Sequence, residues 1–337
     1  MATDYAKATT AYFTRHLAGT RNLSKNTIKS YRDTFRLFLN FCKGERGIKP
    51  EKLTFSKISK KLILDFLDYL EKERKCGIAT RNTRLGALHS FYAFAQSEEP
   101  KILQLAQDII GIKFKKYQKP VARYLLPKQM ELLLRQPDME TKQGRRDTVL
   151  LSVLYDTGGR VQEVCDLVVK DVRVISPSEI TLTGKGGKTR FVPLMKNTIA
   201  MLNGYIFENK LDMAGKDSSP LFFNQRRGKL SRGGVTYVLQ KYAKLAHLQD
   251  QTIPENITPH ILRHSKAMHL YKSGANLIYV RDILGHVDIA TTDIYAKMET
   301  EMKRKALEGA YPEIIPDEYE YEDWTENPDI MEFLDSL

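Results

Sequence analysis

The chain has 337 residues, 42% of them hydrophobic, which is enough apolar material for the cores of two domains. No apolar run approaches the roughly 18 residues of a membrane span, and the N-terminus, MATDYAKATTAYF, lacks the charged-then-apolar pattern of an export signal. The net charge of +12 conceals an asymmetry: residues 312–337 carry ten acidic and no basic side chains, which leaves 53 basic against 31 acidic over 1–311, the balance of a protein with a polyanionic partner.

Residues 1–110 read as a helical domain. Ser24 suits a helix cap, and Ile28, Tyr31, Phe35, Phe38 and Leu39 follow at helical spacing. A second helix carries Leu62, Phe66, Tyr69 and Leu70 on one side. A third starts near Thr80 and buries Leu85, Leu88, Phe91, Tyr92 and Ala95. The helix starts are basic, with Lys25, Lys29, Arg81 and Arg84. Cations in a first turn oppose the helix dipole, so they fit phosphates better than they fit the helix; ordinary surface charge is the competing reading. Residues 111–122, GIKFKKYQKPVA, hold four lysines and a proline, and form a basic linker. Its Lys113, Lys115 and Lys116 suit either a DNA backbone or a solvated hinge.

Residues 123–311 read as a second, mainly helical domain with one β element. Ile180–Thr183 and Arg190–Val192 are β-prone and flank Gly184-Lys185-Gly186-Gly187, a hairpin signature. The three cysteines, Cys42, Cys76 and Cys165, lack CxxC spacing; they fit small apolar fillers in a reduced, cytoplasmic protein and argue against a zinc site.

Four segments of this region carry chemistry. In Tyr155-Asp-Thr-Gly-Gly-Arg160, the paired glycines break one helix and Arg160 opens the next. Glu163 follows one turn on, placed to pair with Arg160 or to cap the helix. An arginine beside flexible backbone can hold a phosphate through two parallel bonds. Lys185 sits in the hairpin turn, where an ammonium can act as a general acid; Lys188 and Arg190 compete for that role. In Thr258-Pro-His-Ile-Leu-Arg263, Thr258 suits the N-cap and Pro259 the first helical position. His260 and Arg263 are then three apart on one face, at the helix end that favours an anion. Ile283-Leu-Gly-His286 closes a helix, with Gly285 as its C-cap. Tyr295 follows nine residues later. A tyrosine with its ordinary pKa of about 10 is a poor nucleophile, and neighbouring cations or a base would help it attack. Each residue taken singly also fits an ordinary structural role: an Arg–Glu surface pair, a turn lysine, a core tyrosine. Those roles do not explain the order and spacing of all six.

The segments TGGRVQEVCDL, GKGGKTRFVPL, HILRHS and LGHVDIATTDIY closely resemble the tyrosine recombinase (phage-integrase-type) family. The resemblance spans about 125–310, and the N-terminal part looks like that family's SAM-like core-binding domain. It implies a mainly α fold with a small β-hairpin. It also implies an enzyme that cleaves and rejoins DNA through a 3′-phosphotyrosyl intermediate and a Holliday junction, with neither metal nor any cofactor. Arg160 and Arg263 would grip the scissile phosphate, His260 would assist as base or donor, and His286 would bond a phosphoryl oxygen. Lys185 would protonate the leaving 5′ oxygen, and Tyr295 would be the nucleophile. Glu163 would support Arg160. The cations Lys25, Lys29, Arg81, Arg84, Lys113, Lys115, Lys116, Lys188 and Arg190 would contact double-stranded DNA. One departure is visible: Gly159 stands where the family commonly has a larger apolar residue, which would loosen the turn before Arg160.

Residues 312–337 form an acidic tail. Its last residues place Ile330, Phe333, Leu334 and Leu337 on one face of a short helix, too short to persist alone in water. The resemblance implies docking on a neighbouring subunit of a tetramer, with docking in cis as the alternative. Two rival functions remain at this level, a type IB-like topoisomerase and a non-catalytic DNA-binding regulator. No extra arm-binding domain is expected before the first helical domain, which disfavours the large two-site phage integrases; the expectation is a transposon or other mobile-element recombinase, acting in a bacterial cytoplasm and on the nucleoid. Accessory recombination proteins and the DNA site are not legible.

Overall fold

In the computed structural model, residues 2–21, 23–117 and 123–285 are described, Lys185 by its backbone alone. Contacts cluster into two units, Met1–Pro120 and Val121–Leu337. Both are mainly helical, and a single three-stranded sheet lies in the second among the described residues. None of the described helices is long and apolar enough to cross a membrane.

The first unit is built from helices α1 (Asp4–Ala11), α2 (Lys25–Arg46), α3 (Lys60–Lys72), α4 (Ile78–Glu98) and α5 (Leu103–Ile110). Ser24 caps α2 as expected, its hydroxyl accepting from the Thr27 amide. Ser59 caps α3 in the same way. The periodic residues of the sequence face inward: Phe35, Phe38, Phe66, Leu70, Leu85, Leu88 and Phe91 are buried. Each such side chain contributes about 1.5–3 kcal/mol by leaving water. Phe91 meets Phe35 and Tyr12 edge to face at 5.0 and 5.3 Å, the arrangement that ring quadrupoles favour. The N-terminal element goes beyond the sequence reading. Helix α1 continues into a π-helical stretch over Tyr12–Thr20, and Tyr12 is buried with its hydroxyl 2.7 Å from Ser90.

The second unit contains α6 (Pro127–Leu134), α7 (Lys142–Thr157), α8 (Val161–Asp166), α9 (Lys196–Glu208), α10 (Arg232–Gln249), α11 (Pro259–Lys272) and α12 (Leu277–Leu284). Its sheet runs β1 (Val172–Arg173), β2 (Glu179–Thr183) and β3 (Thr189–Pro193), antiparallel throughout. The expected hairpin is present, with Ile180 opposite Val192 and Leu182 opposite Arg190. Ile180, Leu182 and Val192 are buried, which fixes the register, because a one-residue slip would send all three to solvent. Lys185–Gly187 form a 3₁₀ turn in which Gly186 (φ 79°) and Gly187 (φ 75°) occupy left-handed backbone. Helix α7 is the core of the unit and is buried on nearly every side, unlike the surface helices around it.

Candidate active site

Helix α7 ends at Gly158, whose left-handed backbone (φ 54°) turns the chain sharply. Gly159 follows, and the turn is not loose. A Cβ on Gly159 would meet Thr157 Oγ1, Leu182 Cδ1 and Val164 Cγ2 at 3.0–3.1 Å. The turn thus has no room for a side chain, and the Gly159 amide is fixed on Thr157 Oγ1 at 3.1 Å. This corrects the expectation of a slack turn. Arg160 then stands at the N-cap of α8.

Glu163 fulfils both roles open to it. Its Oε2 accepts from the Arg160 amide at 2.9 Å, and its Oε1 accepts from Arg160 Nη1 at 2.8 Å. A third donor, Arg190 Nη2, reaches Oε2 at 2.7 Å. Glu163 is buried, and burial alone would raise its carboxyl pKa. The bonds from Arg190 and from the amide and side chain of Arg160 outweigh burial and hold it below the ordinary carboxylate range.

Arg263 comes from the first turns of α11 and is 4% exposed. Its Nη1 donates to the Gly158 carbonyl and its Nη2 to the Leu284 carbonyl, both at 2.7 Å. Pro259 occupies the first position of the helix as expected, but the Thr258 side chain makes no capping bond. His260 lies one turn before Arg263 and is partly exposed. Its pKa is lowered by partial desolvation, then by Arg263 and Arg160. A neutral imidazole beside two guanidiniums can accept a proton or share a hydrogen bond.

The three arginines converge on one helix end. Arg190 Nε donates to the Ile283 carbonyl (2.8 Å), Arg263 Nη2 to Leu284 (2.7 Å) and Arg160 Nη2 to Gly285 (3.3 Å). These are the carbonyls that the end of α12 leaves without helical partners, at its negative pole. Gly285 closes α12 in left-handed backbone (φ 66°), as the sequence indicates. A Cβ there would press on the Arg190 guanidinium at 2.8 Å. Neutral carbonyls hold guanidiniums without cancelling their charge, so the site stays cationic.

The hairpin approaches the same point. A Cβ on Gly184, the residue before Lys185, would meet Glu163 Oε1 at 3.1 Å, so the turn's backbone lies against the carboxylate. Lys188 is exposed beside that turn. His286, Tyr295, the tail over 312–337 and its Ile330, Phe333, Leu334 and Leu337 lie outside the described residues, as does the side chain of Lys185.

Two of the cations expected on DNA are paired with carboxylates inside the protein. Arg81 is 4% exposed and pairs with Glu71 at 3.0 Å. Arg190 is 12% exposed and pairs with Glu163. Both side chains are largely enclosed and engaged in ion pairs within the protein. Lys115 also pairs with Glu71, at 2.8 Å, while remaining exposed. Lys25, Lys29, Lys113 and Lys116 are exposed, and Arg84 donates to Thr34 Oγ1 at 3.3 Å. Arg84 and Lys29 line one polar cleft with Asn26, Ser30, Asp33, Thr80 and Thr83.

Sequence reasoning missed a polar network further along the helix that carries Arg263. Ser265 and His269 lie four apart on α11 and take both backbone groups of Leu125. The Leu125 amide donates to Ser265 Oγ at 2.8 Å, and its carbonyl lies 2.8 Å from His269 Nε2. Tyr155 closes the chain, its hydroxyl 2.7 Å from His269 Nδ1. Lys266 lies over the Tyr155 ring and 3.8 Å from the buried Asp156, which also takes a short bond from Thr198. The i, i+4 spacing of Ser265 and His269 is the only sequence signal for this network.

A buried carboxylate clamping a half-buried arginine, a second arginine near a helix N-terminus and a histidine beside them make a cationic cluster suited to a phosphate. With a helical unit carrying exposed cations, they define an enzyme that acts on the DNA backbone. The chain belongs to the Phage integrase family, whose profile matches residues 123–302, and the Phage integrase, N-terminal SAM-like domain profile matches residues 11–99. It is similar to the tyrosine recombinase XerC of Roseiflexus castenholzii, 34% identical over 293 residues that cover 86% of this chain and 88% of that one. Among solved structures, its fold is similar to the Tn1549 transposon integrase in complex with transposon right-end DNA. That match has a TM-score of 0.67 and 16% identity and covers 90% of this chain and 97% of that one. It is similar also to a lambda integrase tetramer bound to a Holliday junction, with a TM-score of 0.62, 17% identity and coverage of 87% and 76%. The protein is a tyrosine recombinase, a site-specific enzyme of DNA strand breakage and rejoining.

Proposed function

We propose that Arg160, Lys185, His260, Arg263, His286 and Tyr295 form the catalytic set. The observation that carries this reading is the convergence of Arg160 and Arg263, from different helices, on adjacent carbonyls of α12, with His260 one turn from Arg263. The Tyr295 oxygen attacks the scissile phosphorus, and the phosphorus–5′-oxygen bond breaks. Lys185 gives the departing oxygen its proton, and His260 takes the proton from the phenol. Arg160, Arg263 and His286 offset charge on the phosphoryl oxygens as it develops. The ester to tyrosine conserves the phosphodiester energy, and a 5′ hydroxyl from a partner strand reverses the step.

We infer further that the protein works as a tetramer on two duplexes, passing through a Holliday junction. The acidic tail docks in trans through Ile330, Phe333, Leu334 and Leu337. Lys25, Lys29, Arg84, Lys113, Lys115, Lys116 and Lys188 meet phosphates. The biological task is movement of a mobile element in a bacterial cytoplasm. In support, the solved relatives named above include a transposon integrase on its element's end and a tetramer on a junction.

A nicked suicide duplex carrying the cognate site tests the chemistry. The native protein should form a covalent adduct that Tyr295→Phe does not. An adduct that survives in Tyr295→Phe, or none in either protein, rejects the assignment. Deletion of 312–337 should leave binding of one protomer to DNA intact and abolish synapsis; unchanged synapsis rejects docking in trans.

A further inference from the structure

Three of the elements assigned to catalysis come from separate parts of the chain: the start of α8, the β2–β3 hairpin and the end of α12. One side chain touches all of them. Arg190 belongs to β3, five residues after Lys185. Its Nη2 bonds Glu163 Oε2 at 2.7 Å, and its Nε bonds the Ile283 carbonyl at 2.8 Å, two residues before Gly285. Its side chain is 12% exposed, too enclosed to track a DNA backbone. Gly285 carries no side chain where one would collide with this guanidinium, and Gly184 carries none where one would collide with the carboxylate.

The charges explain why a second arginine is needed. Glu163 orients Arg160 by two bonds, one to its amide and one to its guanidinium. A carboxylate paired with Arg160 alone would make a neutral couple, and the couple would offset little of the extra charge that develops on the phosphoryl oxygens in the transition state. A second guanidinium on the same carboxylate restores a net positive charge. Glu163 can then orient Arg160 without cancelling it.

We propose that Arg190 is a positioning residue for strand cleavage: it balances Glu163 so that Arg160 keeps its charge, and it ties the Lys185 hairpin to the end of α12 that leads into His286. The proposal rests on the assignment of Arg160 to the scissile phosphate. It treats Arg190 as acting through Glu163 and Ile283, with no contact to DNA. Groups facing Glu163 from the packed elements are Arg160 on α8, Arg190 on β3 and the backbone of Gly184.

Single-turnover cleavage of a suicide duplex by the full chain is the test, with native protein and Tyr295→Phe as the reference pair. Arg190→Gln should cleave about 10- to 100-fold more slowly, the scale of a misplaced catalytic group. Its affinity for the duplex should stay within about 3-fold, with an unchanged salt slope, because no phosphate contact is lost. Arg190→Lys should recover part of the rate, since it keeps the charge and loses the fork. The acid limb of the rate–pH profile should move to higher pH in Arg190→Gln, because Glu163 loses its strongest partner. In a double-mutant cycle, Glu163→Gln with Arg190→Gln should be no slower than Glu163→Gln alone. This pair also serves if Arg190→Gln alone fails to fold, since it leaves no buried charge unpaired. Cleavage within about 2-fold of native, losses that multiply in the double variant, or an affinity loss with a salt slope reduced by about one would overturn the proposal. Absence of a Tyr295-dependent adduct in the native protein would instead overturn the catalytic assignment beneath it.

Discussion

Glu163→Gln should destabilise the catalytic unit by about 2–3 kcal/mol at neutral pH. The charged bond to Arg190 joins two largely enclosed side chains, 12% and 4% exposed, and such a bond contributes about 1.5–3 kcal/mol. The bond to the Arg160 side chain joins a group 38% exposed, so solvent reduces it to about 0.5 kcal/mol. The bond to the Arg160 amide resembles a cap and adds about 1 kcal/mol. Glutamine keeps one acceptor but must turn its amide nitrogen toward a donor, so part of this sum survives. In a unit of this size, such a loss lowers Tm by about 4–12 °C. Calorimetry of the full chain would resolve the transition that moves. The pH dependence gives a second check. The Glu163 carboxyl is held below its ordinary value, so its contribution is complete above about pH 4.3 and disappears as the pH falls through its folded value. The gap between native and variant should therefore close in acid. A shift under about 2 °C at pH 7, or a gap that widens toward pH 4, would refute the reasoning.

Gly159→Ala should cost about 1–3 kcal/mol, because the added carbon meets three fixed neighbours; unchanged urea stability would contradict the packing described. Gly158→Ala combines a left-handed backbone with a Cβ 2.7 Å from Leu284, so loss of stability and slowed cleavage should appear together. His269 is held below its ordinary pKa by burial, opposed by its bond to Leu125 and deepened by Lys266 and Lys272. Its contribution is complete above about pH 6.5 and is lost as the pH falls, so His269→Gln should flatten the decline in Tm between neutral and mildly acidic pH. Phe66→Ala should cost about 3–5 kcal/mol in the N-terminal unit, read as a shift of one calorimetric transition with the other unchanged.

Local signals in the sequence were read accurately. Ser24 caps α2, Gly285 ends α12, and the β2–β3 hairpin surrounds its glycine-rich turn, because each depends on neighbouring residues alone. The fate of a charge depends on residues far away in the chain. Arg81 and Lys115 share Glu71, and Arg190 meets Glu163 across 27 positions, so sequence context gave no warning that two expected DNA contacts were interior. Thr258 precedes a helix without capping it, and the helix Asp4–Ala11 with its π-helical extension lies in a stretch expected to be helical but without a helix of its own marked out. The arginines of the site could be found by type and spacing. Their common anchor could not, because it consists of backbone carbonyls, which every sequence possesses.

That anchor has a consequence for synthesis of the protein. Arg160, Arg190 and Arg263 all emerge from the ribosome before Ile283, and the acceptors that orient them arrive only with the closing turn of α12. A polypeptide cut short between Arg263 and Ile283 retains every one of these guanidiniums yet lacks the scaffold that gathers them. Such a fragment carries the cations without the geometry that turns them toward one point.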